Sequence, residues 1–250
     1  MPGTSFDQVA DIYDATRGGE RRGNSFADAL APWVLGPRVV ELGIGTGVIA
    51  SGLLAGAHGA SGHDVIGIDL SEAMLRHAQP RIGNRVAVAD VDALPIADGS
   101  VDSVLFVWVL QLVDDPFATL REAARVLRPG GRALTILSNA DDHPDDELAA
   151  TLAGLAPLRR HRHGRDPLLA EAPDSLRLVH AGHTPWDGFP STPASQIEMI
   201  EQRQWSSLFD VDDHTWDAVV EPVLSDLRSM PDPDRPRPRR NRHPLIVWER

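Results

Sequence analysis

The chain has 250 residues, 36 acidic against 24 basic for a formal net charge of −12, and no cysteine. This length suits one domain with additions, the missing cysteine rules out disulfides and thiolate zinc sites, and the acidic balance argues against a nucleic-acid partner. No apolar run reaches the roughly eighteen residues of a membrane span, and no basic stretch leads into an apolar one at the N-terminus, so a cytoplasmic protein with no membrane partner is expected.

Residues 1–35 read as a helical lead-in. Phe6, Val9, Ala10 and Tyr13 share one helical face, Gly18-Gly19 breaks that helix, and Asn24 or Ser25 is placed to cap a second helix carrying Phe26, Leu30 and Trp33. The run from Val39 to Gly47 then reads as a buried strand followed by a glycine-rich turn. A helix is expected from about Gly47, with Val48, Ile49, Leu53 and Leu54, dissolving into the loop from Gly56 to His63. Its histidines, His58 and His63, read as exposed. Val65 to Asp69 is a second strand ending in an acid.

Strand, glycine turn, helix and acid-tipped strand form the layout a nucleotide-shaped ligand needs. Glycines let the backbone approach the ligand, and a carboxylate at the second strand's end can accept both ribose hydroxyls. A dinucleotide fingerprint requires its third glycine three residues after the second. That position is Val48 here, and the third glycine comes one residue earlier, at Gly47.

Ser71 reads as the N-cap of a helix over 72–79. Residues 85–96 read as a third strand and the loop after it, and Ser103 to Val109 as a fourth, with Asp102 structural at its start. Asp115-Pro116 opens a helix that Pro129-Gly130-Gly131 stops, and Arg132 to Ser138 is a fifth strand. Asp141, Asp142, Asp145, Asp146 and Glu147 crowd the N-terminus of an expected helix from Leu148 to Leu158, where they suit the helix dipole; with His143 they are also a conceivable, disfavoured metal set. Two basic clusters, Arg159 to His163 and the arginines from Arg235 to Arg242, read as a solvated loop and a Pro-rich connector rather than as an anion or RNA site. Leu176 to Trp186 and His243 to Trp248 read as strands six and seven, with two helices over 193–230 between them. Some of the six tryptophans line a hydrophobic substrate pocket or pack helices on the sheet; both readings stand.

The pattern Glu41-x-Gly43-x-Gly45-x-Gly47 resembles motif I of the class I S-adenosylmethionine (SAM) dependent methyltransferases. The stretch from Ala89 to Ser138, "ADVDALPIADGSVDSVLFVWVLQLVDDPFATLREAARVLRPGGRALTILS", looks like their small-molecule branch, which includes ubiquinone/menaquinone-biosynthesis-type enzymes and bacterial secondary-metabolite enzymes. The resemblance is close over residues 36–138 and looser outside. It implies an α/β, Rossmann-like seven-stranded sheet of order 3-2-1-4-5-7-6 with the last strand antiparallel, helices on both faces and a helical lid. The expected organisation is a lid over 1–35, a SAM-binding core over 36–140, and a remainder over 141–250 with lid insertions at 141–175 and 193–230.

The same resemblance implies roles. Glu41, Gly43, Gly45 and Gly47 face the amino-acid part of SAM, Asp69 its ribose with Leu70 beside it in the cofactor-binding set, Met74 packs on adenine, and Asp90 and Val91 read adenine's edge. Val107, near the end of strand four, joins this cofactor-binding set. "FDQVADIYDATR" resembles a recurring lead-in that places Tyr13 and Arg17 near the SAM carboxylate or the substrate; a plain core contact is an equal reading of Tyr13. Many relatives carry a histidine in the loop after strand four, where this chain has Gln111. An amide is no base at neutral pH, but it can orient a group by hydrogen bonding. A base, where the acceptor needs one, would come from His180 or His183. The implied activity is methyl transfer from SAM to a small molecule, at oxygen, nitrogen or a carboxylate, by a monomer or homodimer. The alternative is a SAM-binding protein of the same fold that transfers no methyl.

Overall fold

A computed structural model of the chain describes residues 4–56, 62–138, 141–158 and 165–250. His58 and the basic cluster from Arg159 to His163 lie outside the described residues. In chain order the elements begin with α1 (Thr4–Asp7), α2 (Ala10–Arg17), α3 (Gly19–Leu30), β1 (Arg38–Leu42), α4 (Val48–Ala55), β2 (Asp64–Asp69), α5 (Glu72–Ile82), β3 (Val86–Val88), β4 (Val101–Val107), α6 (Pro116–Val126) and β5 (Leu127–Ile136). They continue with β6 (Asp141–Asp142), α7 (Ala149–Leu152), α8 (Arg165–Ala170), β7 (Arg177–His183), α9 (Pro193–Glu201), α10 (Asp213–Thr215), α11 (Glu221–Ser229), β8 (Asn241–Arg242) and β9 (Pro244–Glu249). Two compact units result: one holds β1–β5, β7 and β9 with α1–α6 and α8, the other the remaining elements.

The first unit is built on a seven-stranded sheet of order β3-β2-β1-β4-β5-β9-β7, which is the expected 3-2-1-4-5-7-6 when only its own strands are counted. β1 pairs in parallel with both β2 and β4, while β9 runs antiparallel to β5 and β7. β4 is buried along its whole length, as a central parallel strand covered on both faces should be. One face packs on Phe26 and Leu30 of α3, Leu53 of α4 and Leu75 of α5; the other packs on Leu120 and Ala123 of α6 and Leu168 of α8. At about 25 cal/mol per Å² of apolar surface, each such buried leucine or phenylalanine contributes roughly 1.5–3 kcal/mol.

Local rules place most boundaries. Ser71 caps α5, its side chain accepting from the Met74 N–H at 3.1 Å, although α5 runs on through Pro80 to Ile82 rather than stopping at residue 79. Asp115 accepts from the N–H groups of Phe117 and Ala118 at 2.9 and 3.0 Å, with Pro116 opening α6. Asp102 is structural, accepting from the Arg38 N–H at 2.8 Å.

Several expectations are corrected. α3 starts at Gly19, not after Asn24 or Ser25, because Gly18 in a left-handed conformation (φ 85°) ends α2 and starts the next helix at once. α6 ends at Val126 and β5 begins at Leu127, so the Pro129-Gly130-Gly131 turn lies inside the strand span. His63 is half-buried rather than exposed, its Nδ1 hydrogen bonding the Gly36 carbonyl at 2.9 Å.

The second unit packs Leu148, Leu152 and Leu155 against Ile200, Leu208, Val220, Leu224 and Leu227. The expected helix from Leu148 to Leu158 is a short α-helix followed by a 3-10 segment over Ala153–Leu158. Of the acids before it, Asp146 sits at the helix start, its Oδ1 accepting from the Leu148 N–H at 3.0 Å, while Asp141 and Asp142 lie away from it. Asp141 and Asp142 form β6, paired with β8; Asp141 pairs with Arg242 at 3.1 Å, Glu147 with Arg235 at 2.6 Å and Asp146 with Arg239 at 3.2 Å. The Pro-rich connector is likewise not simply solvated: Arg237 is buried and donates to the carbonyls of Pro231, Asp232 and Arg235. Each set of charges exists to satisfy the other. Among the described residues no group of three histidines or carboxylates is placed to hold a metal.

Candidate active site at the carboxyl edge of the sheet

β1 sends its chain to β2 on one side and has β4 on the other, so strand order reverses at its carboxyl end. In open α/β sheets ligands bind outside such a switch point. The loop leaving β1 carries Gly43, Gly45 and Gly47, all in the left-handed region at φ 64°, 57° and 77°. A Cβ on Gly43 would lie 2.5 Å from Val109 Cγ2, so this glycine permits close packing against the segment after β4. A Cβ on Gly45 would meet nothing within 4 Å. The backbone there faces open space, which is where a ligand could approach it. Gly47 is the N-cap of α4.

Asp69 ends β2 and holds this loop. Its Oδ2 accepts from the Gly45 N–H at 2.8 Å and its Oδ1 from the Ser71 N–H at 2.9 Å. The Leu70 N–H also reaches this carboxylate, which keeps lone-pair capacity for a further donor. Burial raises the Asp69 carboxyl above the usual range despite those bonds. Leu70 beside it is 41% exposed, an apolar surface next to the acid. Glu41, on β1, is fully buried; it accepts from the Ala50 N–H in the first turn of α4, yet its Oε2 has no partner. Burial pushes its carboxyl up to about 8.

α6 fixes the loop after β3. Glu122 accepts from the Leu94 N–H at 2.7 Å, and Arg125 donates to the carbonyls of Leu94 and Ile96. Asp90 is exposed, with one oxygen accepting from the Asp92 N–H at 3.0 Å, and Val91 is buried in the core behind it. Val107 is buried at the end of β4. Gln111 is buried too, and its Oε1 has no hydrogen-bond partner.

Met74 is also buried, under Ala10, Phe6, Val9 and Tyr13. Its apolar surface is therefore covered by the N-terminal helices. Tyr13 carries Arg17 over its ring at 5.8 Å, and burial lowers the Arg17 pKa. His183 ends β7 opposite Pro244, and because β9 is antiparallel to β5 this places it on the same edge as the ends of β4 and β5. His180 is elsewhere: it stacks on Trp33 at 4.4 Å, and burial lowers its pKa.

Three further features of this edge have no counterpart among the sequence expectations. Asp7, Asp11 and Asp14, spaced four and three apart, bond Ser71 (2.5 Å), His77 (3.0 Å) and Arg81 (2.6 Å) respectively. Asp14 also accepts from Thr46 of the glycine loop at 2.5 Å, so the N-terminal helices are tied directly to it. The four-and-three spacing of these acids, away from the apolar face, is the sequence signal for this contact. The second is Trp108, in a left-handed conformation (φ 61°) with Arg22 over its ring at 4.3 Å. The third is His243, buried against Phe26 and Trp108, with Nδ1–H donating to the Leu137 carbonyl at 3.1 Å. Neither has a local sequence signal.

Residues 40–135 match a family described as a methyltransferase domain. These are the residues from β1 to β5, with the glycine loop, Asp69, Asp90 and Gln111 among them. The chain is 34% identical over 157 residues to the malonyl-[acyl-carrier protein] O-methyltransferase of Erwinia pyrifoliae, a match covering 61% of this chain and 56% of that protein. The chain spans about half the length of the curated relatives it matches, or less. In fold the chain is similar to Haemonchus contortus phosphoethanolamine N-methyltransferase 2 in complex with S-adenosyl-L-methionine, with a TM-score of 0.56 and 20% identity over 98% of this chain and 57% of that one. It is also similar to the (4+2)-cyclase SpnF, with a TM-score of 0.62 and 16% identity over 99% and 94% of the two chains.

Proposed function

We propose that this chain is a SAM-dependent methyltransferase acting on a small-molecule acceptor. The observation that carries the reading is the pairing of Asp69 with Gly45 across the switch point, beside backbone that faces open space. The residues suit SAM. Asp69 has lone pairs left for a ribose, Leu70 offers an apolar face for a base, and the unpartnered Glu41 Oε2 is a buried acceptor on the amino-acid side. SAM supplies a methyl already activated on a sulfonium, so the protein's work is to position the acceptor and exclude water. In this reading Gly43, Gly45 and Gly47 shape the cradle, Asp90 and Val91 border the base, and Val107 floors the site. Tyr13 and Arg17 close it from the N-terminal helices. Gln111 orients a group by hydrogen bonding. His183 is a base only for acceptors that must lose a proton.

Support for a small molecule comes from the net charge of −12, which disfavours nucleic acid. The test is incubation with SAM and panels of phenols, amines and carboxylic acids, with S-adenosylhomocysteine (SAH) measured. Acceptor-dependent SAH supports the reading; bound SAM that no acceptor consumes supports the second one. That second reading is a SAM-binding protein of the same fold that transfers no methyl. It is favoured by the buried amide of Gln111 where a base would stand, and by the cyclase among the fold neighbours.

A further inference from the structure

Arg22 is half-buried on α3 with its guanidinium stacked 4.3 Å over the Trp108 ring. Among the described residues its side chain makes no hydrogen bond or ion pair, in a chain where acids outnumber bases 36 to 24. Desolvation lowers its pKa to about 10, outweighing the nearby Tyr13 and Asp14, which raise it. The indole Nε1 of Trp108 is buried and also unpartnered. Trp108 holds a left-handed backbone that costs a bulky residue about 1–2 kcal/mol. Strain and two unused donors in one cluster point to a ligand.

Its location says which part of a ligand. The Trp108 N–H donates to the Ile136 carbonyl at 2.8 Å, and His243, against the indole, is held on Leu137. The cluster therefore sits at the ends of β4 and β5, on the far side of the switch point from Asp69 and Leu70. A guanidinium backed on one face by an indole keeps its in-plane N–H groups free, a fork that fits a planar carboxylate or a phosphate.

We propose that Arg22 and Trp108 form an anion subsite that holds a carboxylate or phosphate carried by the acceptor. The inference rests on the methyltransferase reading. The anionic group is a handle: paired to the guanidinium it is a poor nucleophile, so the methyl goes to another atom of the same molecule.

The test follows the Trp108 indole N–H by NMR in the full chain, assigned with Trp108→Phe, at constant ionic strength. Benzoate and inorganic phosphate are titrated with and without SAH, which separates a carboxylate handle from a phosphate. A saturable shift with one of them is expected. Arg22→Gln should weaken that anion at least about tenfold, and Arg22→Lys, which keeps the charge and stem but not the fork, should lose less. SAH affinity should stay within about twofold of wild type in both. No shift with either anion, or the same shift in Arg22→Gln, overturns the subsite. Loss of SAH affinity in Arg22→Gln also overturns it, because the cation then serves the cofactor's own carboxylate. If wild type fails to bind SAH, the methyltransferase reading falls, while the titration without SAH still decides whether the anion site exists.

Discussion

Asp69 and Gly45 are joined by a 2.8 Å hydrogen bond from backbone N–H to carboxylate. One side chain thus fixes the glycine loop and presents its remaining lone pairs to the space beside it. The two glycines of this loop make a contrast that separates folding from binding. Gly45→Ala incurs about 1–2 kcal/mol of left-handed strain and no clash. Gly43→Ala adds a 2.5 Å collision with Val109, worth roughly 1–3 kcal/mol more. Gly45→Ala should therefore lose SAH affinity at least about tenfold with a small drop in Tm, and Gly43→Ala should show the larger drop in Tm. Calorimetry and thermal melts on both variants check this; equal Tm losses with SAH binding intact would contradict it.

Glu41 gives a pH dependence. Its carboxyl stands at about 8 in the folded protein against an ordinary 4.5. The folded state holds a proton that the unfolded chain releases, so stability is fully present below about pH 4.5 and is lost as pH rises through about 8. Glu41→Gln cannot titrate. Melts from about pH 5 to about pH 9 should show wild-type Tm declining relative to the variant. Parallel curves would mean that Glu41 is ionised or solvated when folded.

Asp14 couples the N-terminal helices to the site through Thr46 and Arg81. The Asp14–Arg81 pair is partly exposed, so Asp14→Ala should cost about 1 kcal/mol after screening. Hydrogen exchange should show protection falling over residues 4–17 with β1 and β4 unaffected. Uniform loss, or none, would refute the coupling.

The parts of this protein that sequence reveals are those governed by neighbours in the chain. β1, the glycine turn and the Asp69 strand follow from buried runs and turn chemistry, and Ser71 and Asp115-Pro116 declare their helix starts by capping rules. The acids of 141–147 and the arginines of 235–242 were both visible, but nothing local says that residues about a hundred positions apart neutralise each other. Trp108 and His243 meet only because β9 runs antiparallel beside β5, and Arg22 joins them from α3. The half of the site at β1 and β2 is therefore written locally, and the half at β4 and β5 is assembled by topology.

The most direct measurement is calorimetric titration of SAM and SAH into wild type and Asp69→Ala. Asp69 should contribute charge-assisted hydrogen bonds of about 1.5–3 kcal/mol each, so its loss should weaken binding at least about tenfold. Wild-type binding that the variant loses is the predicted result. Equal affinity in the two proteins, or no binding to wild type, would contradict the account.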